Sequence, residues 1–287
     1  MDGKHFGMRN FKYLLAIILL CVLGSANAQN LIVGTFNLRF DNPKDSGNLW
    51  LNRLPVVASL IRFHQFDVLG TQEGLGNQIN DLDKQLPEYQ HYGLGRNDGK
   101  DAGEHSVIFF KREKFTLLNK GDFWLSQTPE KPSKGWDARL NRICSWVYLQ
   151  DIKSKKKFYF FNVHYDHQGK IAREESSKLI LERIKNIAGK GPVILTGDFN
   201  GDHTSSWYQR VANSDLLKDT YRLASHPYDY NPSANGFGRE LQKSGVIDHI
   251  FITESLTVER WGILSDSYHG KFPSDHFPVL SEIRLNK

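Results

Sequence analysis

Polar residues that could do chemistry occur where apolar, strand-like runs of this 287-residue chain end. Carboxylates and amides at the ends of buried strands are costly to leave unpaired, so we expect them to converge on a common partner. The residues concerned are Asn37, Glu73, His164, Asp198, Asn200, Asp248, Asp275 and His276. Most of them offer oxygen ligands, which suit a hard divalent ion such as Mg²⁺ or Mn²⁺. The pattern therefore predicts a site for such an ion.

Each of these residues is ambiguous when it is taken singly. An aspartate that follows a strand, as Asp198 does, is more often a helix cap or a turn residue. Asn37 could mark a bulge in its strand, and Asp275 with His276 could form an ordinary ion pair. The occurrence of all of them in this order is far harder to attribute to chance.

The elements that must position these side chains can be recognised from the periodicity of apolar residues. Ten runs predict strands: Leu31–Phe40, Phe66–Thr71, Ser106–Lys111, Phe115–Phe123, Arg142–Leu149, Phe158–His164, Val193–Asp198, Val246–Ile252, Leu256–Leu264 and Pro278–Leu285. Helical spacing predicts three helices, at Leu54–His64, Asn77–Leu86 and Ile171–Ile187. So many strands exceed what a doubly wound parallel sheet needs. They indicate an α/β (α+β) protein in which two sheets pack face to face with helices outside.

The polar residues belong to short motifs that together resemble the endonuclease/exonuclease/phosphatase superfamily. The motifs are Thr35–Asn37, Thr71–Glu73, Asn162–His164, Thr196–Asn200, Ile247–Ile250 and Pro273–Pro278, and the resemblance extends from Leu31 to Leu285. It implies one catalytic domain over residues 29–287 with a four-layer αββα sandwich of two mixed sheets. It also implies divalent-metal-dependent hydrolysis of phosphoester bonds, with Mg²⁺ or Mn²⁺ as the cofactor.

The same resemblance assigns the metal ligands. Glu73 resembles the principal ligand, with Asn37 and Asp275 beside it. Some nucleases of the superfamily carry an acidic residue two places after the asparagine, where this chain has Arg39. We therefore expect one ion rather than two. Arg39 could bind a substrate phosphate, or it could be an exposed strand residue paired with Asp41, and the sequence leaves both interpretations open.

The remaining roles concern the attacking water and the phosphate. Asp198 resembles the residue that orients and deprotonates the water, and Asn200 the amide that holds the nucleophile and the phosphate. His276 would contact a phosphate oxygen and be fixed by Asp248 through its other ring nitrogen, at about 2.6–3.2 Å. His164 resembles the second phosphate-binding histidine. A cation and two imidazoles would offset the charge of the transition state.

Loop residues supply further candidates for binding a substrate. They are Arg39, Arg96, Arg142, Trp124, Trp136 and Phe237. The aromatic rings could stack on a base or a sugar, or pack in the core beneath long loops. Residues 235–237 are the candidate specificity loop. Several histidines, His167 and His203 among them, have no recognisable partner and are predicted to lie at the surface.

The first residues predict export. Met8–Lys12 is basic, Tyr13–Leu23 is almost wholly apolar, and Ala26–Ala28 has the small-x-small pattern of a cleavage site. The apolar run is shorter than the roughly 20 residues that span a bilayer, so no stable membrane anchor is expected. Residues 1–28 are therefore predicted to be a signal peptide, and the mature protein to be periplasmic or secreted.

Charge and cysteine content limit the alternatives. Removal of residues 1–28 takes away Lys4, Arg9, Lys12 and Asp2, which lowers the net charge of +5 by two. This weak positive charge is not by itself typical of a nucleic-acid-binding protein. Cys144 is then the one remaining cysteine, so an intramolecular disulfide cannot form and the core must hold the fold.

Three functions are compatible with the sequence. The first is a phosphodiesterase or nuclease that acts, as a monomer, on single-stranded nucleic acid or small nucleotides. The second is a phosphatase or phospholipase-type esterase acting on a phosphorylated sugar, inositol or lipid head group. The third is a non-catalytic extracellular binding module. Such a module would be expected to have lost Glu73, Asp198, Asn200 or His276, and all four are present.

Overall fold

The computed structural model describes residues 30–243 and 245–286, in which twelve strands and five α-helices form. The strands are β1 (Asn30–Asn37), β2 (Val68–Gln72), β3 (Tyr89–Tyr92), β4 (Ile108–Lys111), β5 (Phe115–Trp124), β6 (Ile143–Asp151), β7 (Lys157–His164), β8 (Val193–Asp198), β9 (Lys218–Asp219), β10 (Asp248–Ile252), β11 (Leu256–Ile263) and β12 (Val279–Leu285). The helices are α1 (Trp50–Phe63), α2 (Gly76–Gln85), α3 (Lys170–Ala188), α4 (Ser206–Ala212) and α5 (Thr220–Leu223). The predicted signal peptide lies outside the described residues.

All ten predicted strands and all three predicted helices are present, with ends shifted by a few residues. The sequence pattern missed β3, β9, α4 and α5, which have at most seven residues each. Elements this short hold too few apolar positions for a period to be recognised. Among the described helices, none is long and apolar enough to cross a membrane.

The strands form two six-stranded sheets. Sheet I has the order β11-β12-β1-β2-β4-β3, and sheet II has the order β5-β6-β7-β8-β10-β9. Each sheet contains one parallel pair, β1 with β2 in sheet I and β7 with β8 in sheet II, while the other pairs are antiparallel. Both sheets are therefore mixed, as predicted.

Three apolar clusters separate four layers. The first lies between the sheets and contains Val33 and Ile108 of sheet I together with Phe160 of sheet II. A second cluster packs α1 and α2 on the outer face of sheet I, and a third packs α3 and α4 on the outer face of sheet II. Because side chains alternate along a strand, each central strand contributes to two clusters. The predicted four-layer αββα sandwich is confirmed.

A buried polar network also joins the sheets. Gln72 of β2 donates its side-chain amide to Asn162 Oδ1 of β7 at 2.8 Å and to Thr35 Oγ1 of β1 at 3.0 Å. Asn162 in turn donates to the Thr71 carbonyl at 2.8 Å, and Thr196 Oγ1 of β8 donates to Asn162 Oδ1 at 3.1 Å. Directional bonds of this kind fix one sheet against the other more tightly than apolar packing alone.

Gly70 of β2 is the residue that allows this network to form. A Cβ atom at position 70 would lie 2.3 Å from Thr196 Oγ1 and 2.5 Å from Asn162 Oδ1. We therefore expect Gly70→Ala to destabilise the protein by about 2 kcal/mol, which corresponds to a fall in Tm of roughly 4–8 °C. In Gly76→Ala, the matched control at the start of α2, the nearest atom would be 3.5 Å away. Equal Tm values for the two variants in a thermal melt would contradict the proposed role of Gly70.

Candidate active site

The residues singled out by their motifs meet at one edge of the two sheets. Asn37 ends β1 and Glu73 directly follows β2, while His164 and Asp198 end the neighbouring strands β7 and β8. Asp248 begins β10 directly opposite Asp198 in the ladder. The carboxyl ends of the two parallel pairs, which lie in different sheets, thus contribute side chains to a single cleft.

Asn37 links the two halves of this cleft. Its side-chain nitrogen donates to Glu73 Oε1 at 3.1 Å and to Asp198 Oδ2 at 3.0 Å. Its side-chain oxygen accepts a hydrogen bond from the Arg39 backbone at 2.9 Å, which settles the orientation of the amide. Asn37 therefore donates to both carboxylates and lies between them. Its role as a metal ligand stays a prediction.

Asp248 and His276 form the predicted pair. Asp248 Oδ2 lies 2.8 Å from His276 Nδ1, which leaves His276 Nε2 facing the cleft, 3.9 Å from Asp198 Oδ2. Burial lowers the pKa of His276, but the charges of Asp248 and Asp198 outweigh burial and hold this pKa well above its usual value. A positively charged donor therefore faces the cleft, oriented by a carboxylate behind it.

Asp198 lies at the centre of the cleft and is buried. Burial raises the pKa of Asp198 to about 7, and the charge of Asp248 acts in the same direction. Its Oδ2 is 3.5 Å from His164 Nε2. Burial and the charge of Arg142 lower the pKa of His164 well below the usual range, so this second ring is neutral. Asp198 can thus take up a proton near neutral pH.

Three of the cleft residues have left-handed backbone conformations, Arg39 with φ of 54°, Glu73 with φ of 64° and Asn200 with φ of 46°. Such conformations cost free energy outside glycine and tend to occur at functional sites. The Asn200 backbone donates to Asp198 Oδ1 at 2.8 Å, and its side-chain nitrogen donates to the Tyr165 carbonyl at 3.0 Å. Asn200 is thereby fixed beside Asp198.

Glu73 and Asp275 provide oxygen donors on the sheet I side of the cleft. The Glu73 carboxylate accepts one hydrogen bond from Asn37 and one from the Phe40 backbone, at 3.1 Å each. Burial raises the pKa of Asp275, the charge of His276 lowers it and the negative charge of Glu73 raises it, so the two carboxylates interact electrostatically. Oxygen donors and accumulated negative charge fit a hard divalent cation.

Of the two predicted environments of Arg39, the pairing with Asp41 is not found, and the contact with a substrate phosphate stays a prediction. Arg39 lies beyond the end of β1 with φ of 54°, and it pairs with Asp45 rather than with Asp41. The Arg39 Nε to Asp45 Oδ2 distance is 2.8 Å, and Arg39 Nε lies 3.7 Å from Asp275 Oδ2. Arg39 lines the cleft and is therefore a site residue, with the carboxylates of Asp45 and Asp275 beside its guanidinium.

Arg53 helps to hold the site together, a role that the sequence did not reveal. It lies in α1 and is completely buried, and its guanidinium donates to four backbone carbonyls. These carbonyls belong to Leu38, Arg39, Asn48 and Pro273. Arg53 thereby ties the segment after β1 to the segment that carries Asp275 and His276. Its position within an amphipathic helix gave no signal of this role.

One wall of the cleft consists of polar residues from three loops. Arg142 is buried, with its Nη2 donating to His167 Nδ1 at 2.9 Å and its Nη1 without a partner among the described residues. Arg96 forms two hydrogen bonds with Glu104, at 2.6 and 2.8 Å, and its predicted contact with substrate stays a prediction. His167 is exposed, as predicted, but it has a partner in Arg142 and lines the cleft with Arg142 and Glu104.

The predicted aromatic contacts lie largely outside the cleft. Trp124 is buried and donates its indole N–H to the Arg96 carbonyl at 2.7 Å, which makes it a packing residue. Trp136 is partly exposed but does not line the cleft. Phe237, with φ of 56°, has its ring 5.5 Å from the Arg53 guanidinium and also lies outside the cleft lining. Of the three rings, none offers a stacking surface beside Asp198.

The cleft has a volume of about 300 Å³, near the lower end of the range for ligand pockets. Its lining residues are Arg39, Phe40, Glu73, Glu104, Leu140, Arg142, His164, His167, Asp198, Asn200 and His276. A larger cavity of about 550 Å³ lies elsewhere, between Phe63, Tyr228 and Trp261. It contains none of the residues described above, so chemistry rather than size identifies the active site.

Comparison with known proteins agrees with this geometry. Residues 34–276 match the sequence family described as "Endonuclease/Exonuclease/phosphatase family". The chain is 44% identical to the mannosyl-6-phosphatase of Bacteroides thetaiotaomicron VPI-5482, with a TM-score of 0.86, covering 88% of this chain and 99% of that one. A second Bacteroides thetaiotaomicron structure of the endonuclease/exonuclease/phosphatase family is 43% identical with a TM-score of 0.87, covering 90% and 98%.

A more distant relative is the 3'-5'-exoribonuclease subunit of the CCR4-Not complex of Emericella nidulans. It is 22% identical over 327 residues, which cover 82% of this chain but only 48% of that protein. The relatives therefore include both a phosphatase and a nuclease, which share phosphoester hydrolysis. With its fold, its cleft and the match over most of its length, this chain belongs to the endonuclease/exonuclease/phosphatase family of phosphoester hydrolases.

Proposed function

We propose that this protein is a Mg²⁺-dependent phosphatase that removes the phosphate group from a small phosphorylated sugar. The observation that carries the proposal is the form of the cleft, which is small and has a polar wall of Arg142, Glu104 and His167. Such a wall suits the hydroxyl groups and the compact charge of a sugar phosphate. Phe40 is the one Phe, Tyr or Trp among the lining residues, and a single ring does not provide the successive stacking surfaces that hold the bases of a strand.

The ion is assigned to Glu73 and Asp275, because both offer carboxylate oxygens and their negative charges interact. When bound, a divalent cation supplies positive charge that stabilises the phosphoryl group during its transfer. Mg²⁺ is preferred over softer ions because the donors at this position are carboxylate oxygens.

Asp198 is assigned the role of general base. It is buried, fixed by hydrogen bonds from Asn37 and the Asn200 backbone, and its pKa of about 7 suits proton uptake at neutral pH. A water molecule held between Asp198 and Asn200 would lose its proton to Asp198 as its oxygen bonds to phosphorus and the bond from phosphorus to the sugar oxygen breaks. The released sugar oxygen would take up a proton from solvent, which yields inorganic phosphate and the free sugar. Asn37 donates hydrogen bonds to both Asp198 and Glu73, so it holds Asp198 at a fixed position relative to Glu73.

His276 and His164 are assigned to the phosphate oxygens. His276 is held cationic by Asp248 and presents Nε2 to the cleft, so it offers a charged hydrogen-bond donor. His164 enters from β7 with a neutral ring, its Nε2 3.5 Å from Asp198. Donors placed in advance around the developing charge stabilise the transition state without further rearrangement.

Arg142 and Glu104 are assigned to the remainder of the substrate. Arg142 has a buried, unpartnered Nη1, which requires an acceptor to offset the loss of hydration. Glu104 accepts two hydrogen bonds from Arg96 and lines the cleft, so it can also accept hydroxyl donors of a sugar. The 44% identity to a mannosyl-6-phosphatase supports a sugar phosphate over the nucleic-acid substrate that the sequence first suggested.

A substrate panel tests the proposal. We expect kcat/KM with Mg²⁺ to be roughly 100-fold or more higher for a hexose 6-phosphate than for single-stranded DNA or poly(A). The rate should change little between low and physiological salt, because few phosphates are contacted. The panel should also contain inositol phosphates, mononucleotides and duplex plasmid. Faster cleavage of a single-stranded nucleic acid would refute the sugar assignment, and nicking of duplex with a steep salt dependence would indicate an extended basic surface instead.

A further inference from the structure

Three side chains with metal-ligating atoms meet at the β9 edge of sheet II, and none of them lines the catalytic cleft. They are His203 in the loop after β8, Asp219 in β9 and His249 in β10. One ligand atom from each lies within 4.8 Å of the other two. Asp219 and His249 are fully buried, and His203 is partly buried with its ring stacked on Tyr221 at 4.5 Å. The sequence-based placement of His203 as a partnerless surface residue is therefore wrong.

The hydrogen bonds of His249 leave one of its ring nitrogens facing a carboxylate. His249 Nε2 lies 2.9 Å from the Gly201 carbonyl, which can only accept, so Nε2 carries the proton. His249 Nδ1 lies 3.4 Å from Asp219 Oδ2. The Asp219 carboxylate already accepts hydrogen bonds from the Tyr208 hydroxyl at 2.8 Å and the Tyr221 backbone at 2.9 Å. A neutral imidazole would thus direct a lone pair at an anion, unless a cation lies between them.

His203 also faces the Asp219 carboxylate without a hydrogen bond to it. Its Nε2 is buried and has no hydrogen-bond partner among the described residues, and it lies 3.9 Å from the same Asp219 Oδ2. Burial lowers the pKa of His203, with the neighbouring His249 acting in the same direction, so the ring is neutral. If His249 were protonated, its Nδ1 could donate to Asp219, but His203 Nε2 would still lack a partner. A single metal ion satisfies both nitrogens and the carboxylate together.

We propose that His203, Asp219 and His249 form a zinc-binding site distinct from the catalytic metal site. Zinc at about 2.0–2.2 Å from tetrahedral ligands places the ligand atoms roughly 3.3–3.5 Å apart. The His249 to Asp219 distance of 3.4 Å agrees with this, and the 3.9 Å distance from His203 needs a shift of about half an ångström in a loop residue. Three protein donors leave a fourth position for water.

The donor set distinguishes this ion from the catalytic one. Two imidazole nitrogens and one carboxylate oxygen suit zinc, whereas Mg²⁺ prefers oxygen donors and retains several waters. The site would fasten residues 201–205 to the β9 and β10 strands. Asn200 precedes this segment and Asp248 precedes His249, so zinc would brace two catalytic side chains without contacting the substrate.

Zinc binding to the purified chain, stripped with a chelator and then kept in excess Mg²⁺, tests the proposal. We expect one zinc ion per chain by elemental analysis and a rise in Tm of roughly 5–10 °C at zinc concentrations about 100-fold above Kd. Co²⁺ in place of zinc should give the visible absorption of a four-coordinate nitrogen and oxygen site. His203→Gln should fold, as judged by circular dichroism, and lose the bound zinc and the rise in Tm.

Three further variants locate the ion. Asp219→Asn provides a second test of the site if His203→Gln folds poorly, and it should also lose zinc. His226→Gln removes an exposed histidine outside the cluster and should retain zinc and the rise in Tm. Asp248→Asn alters the catalytic pair and should retain zinc as well. Loss of zinc from Asp248→Asn with retention in His203→Gln would overturn the proposal, as would a wild-type chain that binds no zinc.

Discussion

Glu73→Gln is expected to lower kcat by roughly 10³-fold or more while the protein remains folded. Glu73 lies at the end of β2 in a left-handed conformation, and its carboxylate is the principal donor proposed for the divalent ion. Glutamine has the same shape but lacks the negative charge that holds the cation. Phosphate release from a hexose phosphate in saturating Mg²⁺ measures the effect.

The stability of this variant should change little. Glutamine can retain one of the two hydrogen bonds that Glu73 accepts from Asn37 and Phe40, and loss of the other costs about 1 kcal/mol. That corresponds to a fall in Tm of roughly 2–4 °C. Glu88→Gln, which alters an exposed pair with Arg62, is the matched control and should retain full activity. Full activity of Glu73→Gln, or of the wild type in excess chelator, would exclude Glu73 as a metal ligand.

Asp248→Asn is expected to lower kcat roughly 10²–10³-fold, the usual effect of removing one charged donor from a transition-state site. Without the carboxylate 2.8 Å from Nδ1, His276 loses the charge that holds its pKa well above the usual range. It then presents a neutral ring in an orientation that no anion fixes. KM should change less than kcat, because His276 acts mainly on charge that develops in the transition state.

A second hydrogen-bonded Asp–His pair, which lies outside the cleft, provides the control for Asp248→Asn. His64 Nε2 lies 3.0 Å from Asp266 Oδ2, and His64 lines the larger cavity rather than the cleft. Asp266→Asn should therefore leave kcat unchanged. If both variants lose the same fraction of activity, the effect of Asp248→Asn is a general loss of structure and the role assigned to His276 is wrong.

The catalytic half of the cleft could be predicted because its residues occupy strand ends. A strand end is recognisable from the apolar run before it, and parallel neighbours in a sheet bring their carboxyl ends together. Asp198 and His164 followed from this rule, and the motif resemblance supplied the pairing of Asp248 with His276, which are 28 residues apart. Local sequence and motif order were sufficient for these residues.

Apart from Arg142, which the sequence offered as a candidate, the proposed substrate wall could not be predicted. Arg142, Glu104 and His167 come from loops, and loop conformation leaves no periodic signal in a sequence. Arg96 was predicted to be free because its partner Glu104, eight residues away, lies in a segment without a recognisable element. Trp124 at the end of β5 was a candidate for stacking, although its burial depends on packing against a distant loop.

Arg53 illustrates a further limit. Arginine in a helix with an apolar face is expected at the solvent side, where charged residues usually lie. Arg53 instead is buried because four carbonyls from three separate segments converge on its guanidinium. The sequence also could not group His203, Asp219 and His249, because their proximity depends on how β8, β9 and β10 pair. Long-range pairing decides such sites, and a single sequence does not reveal it.

The strand orders have a consequence for how the chain folds as it is delivered from its N-terminus, whether from the ribosome or across a membrane. Sheet II is built from β5 to β10, which follow one another in the sequence, so it can form before the last part of the chain has emerged. Sheet I cannot, because β12 inserts between β1 and β11. Until then β1 has one open edge, a surface on which another nascent chain could aggregate. The segment that delivers Asp275 and His276 also delivers β12, so the protein gains its activity and loses its exposed edge in the same event.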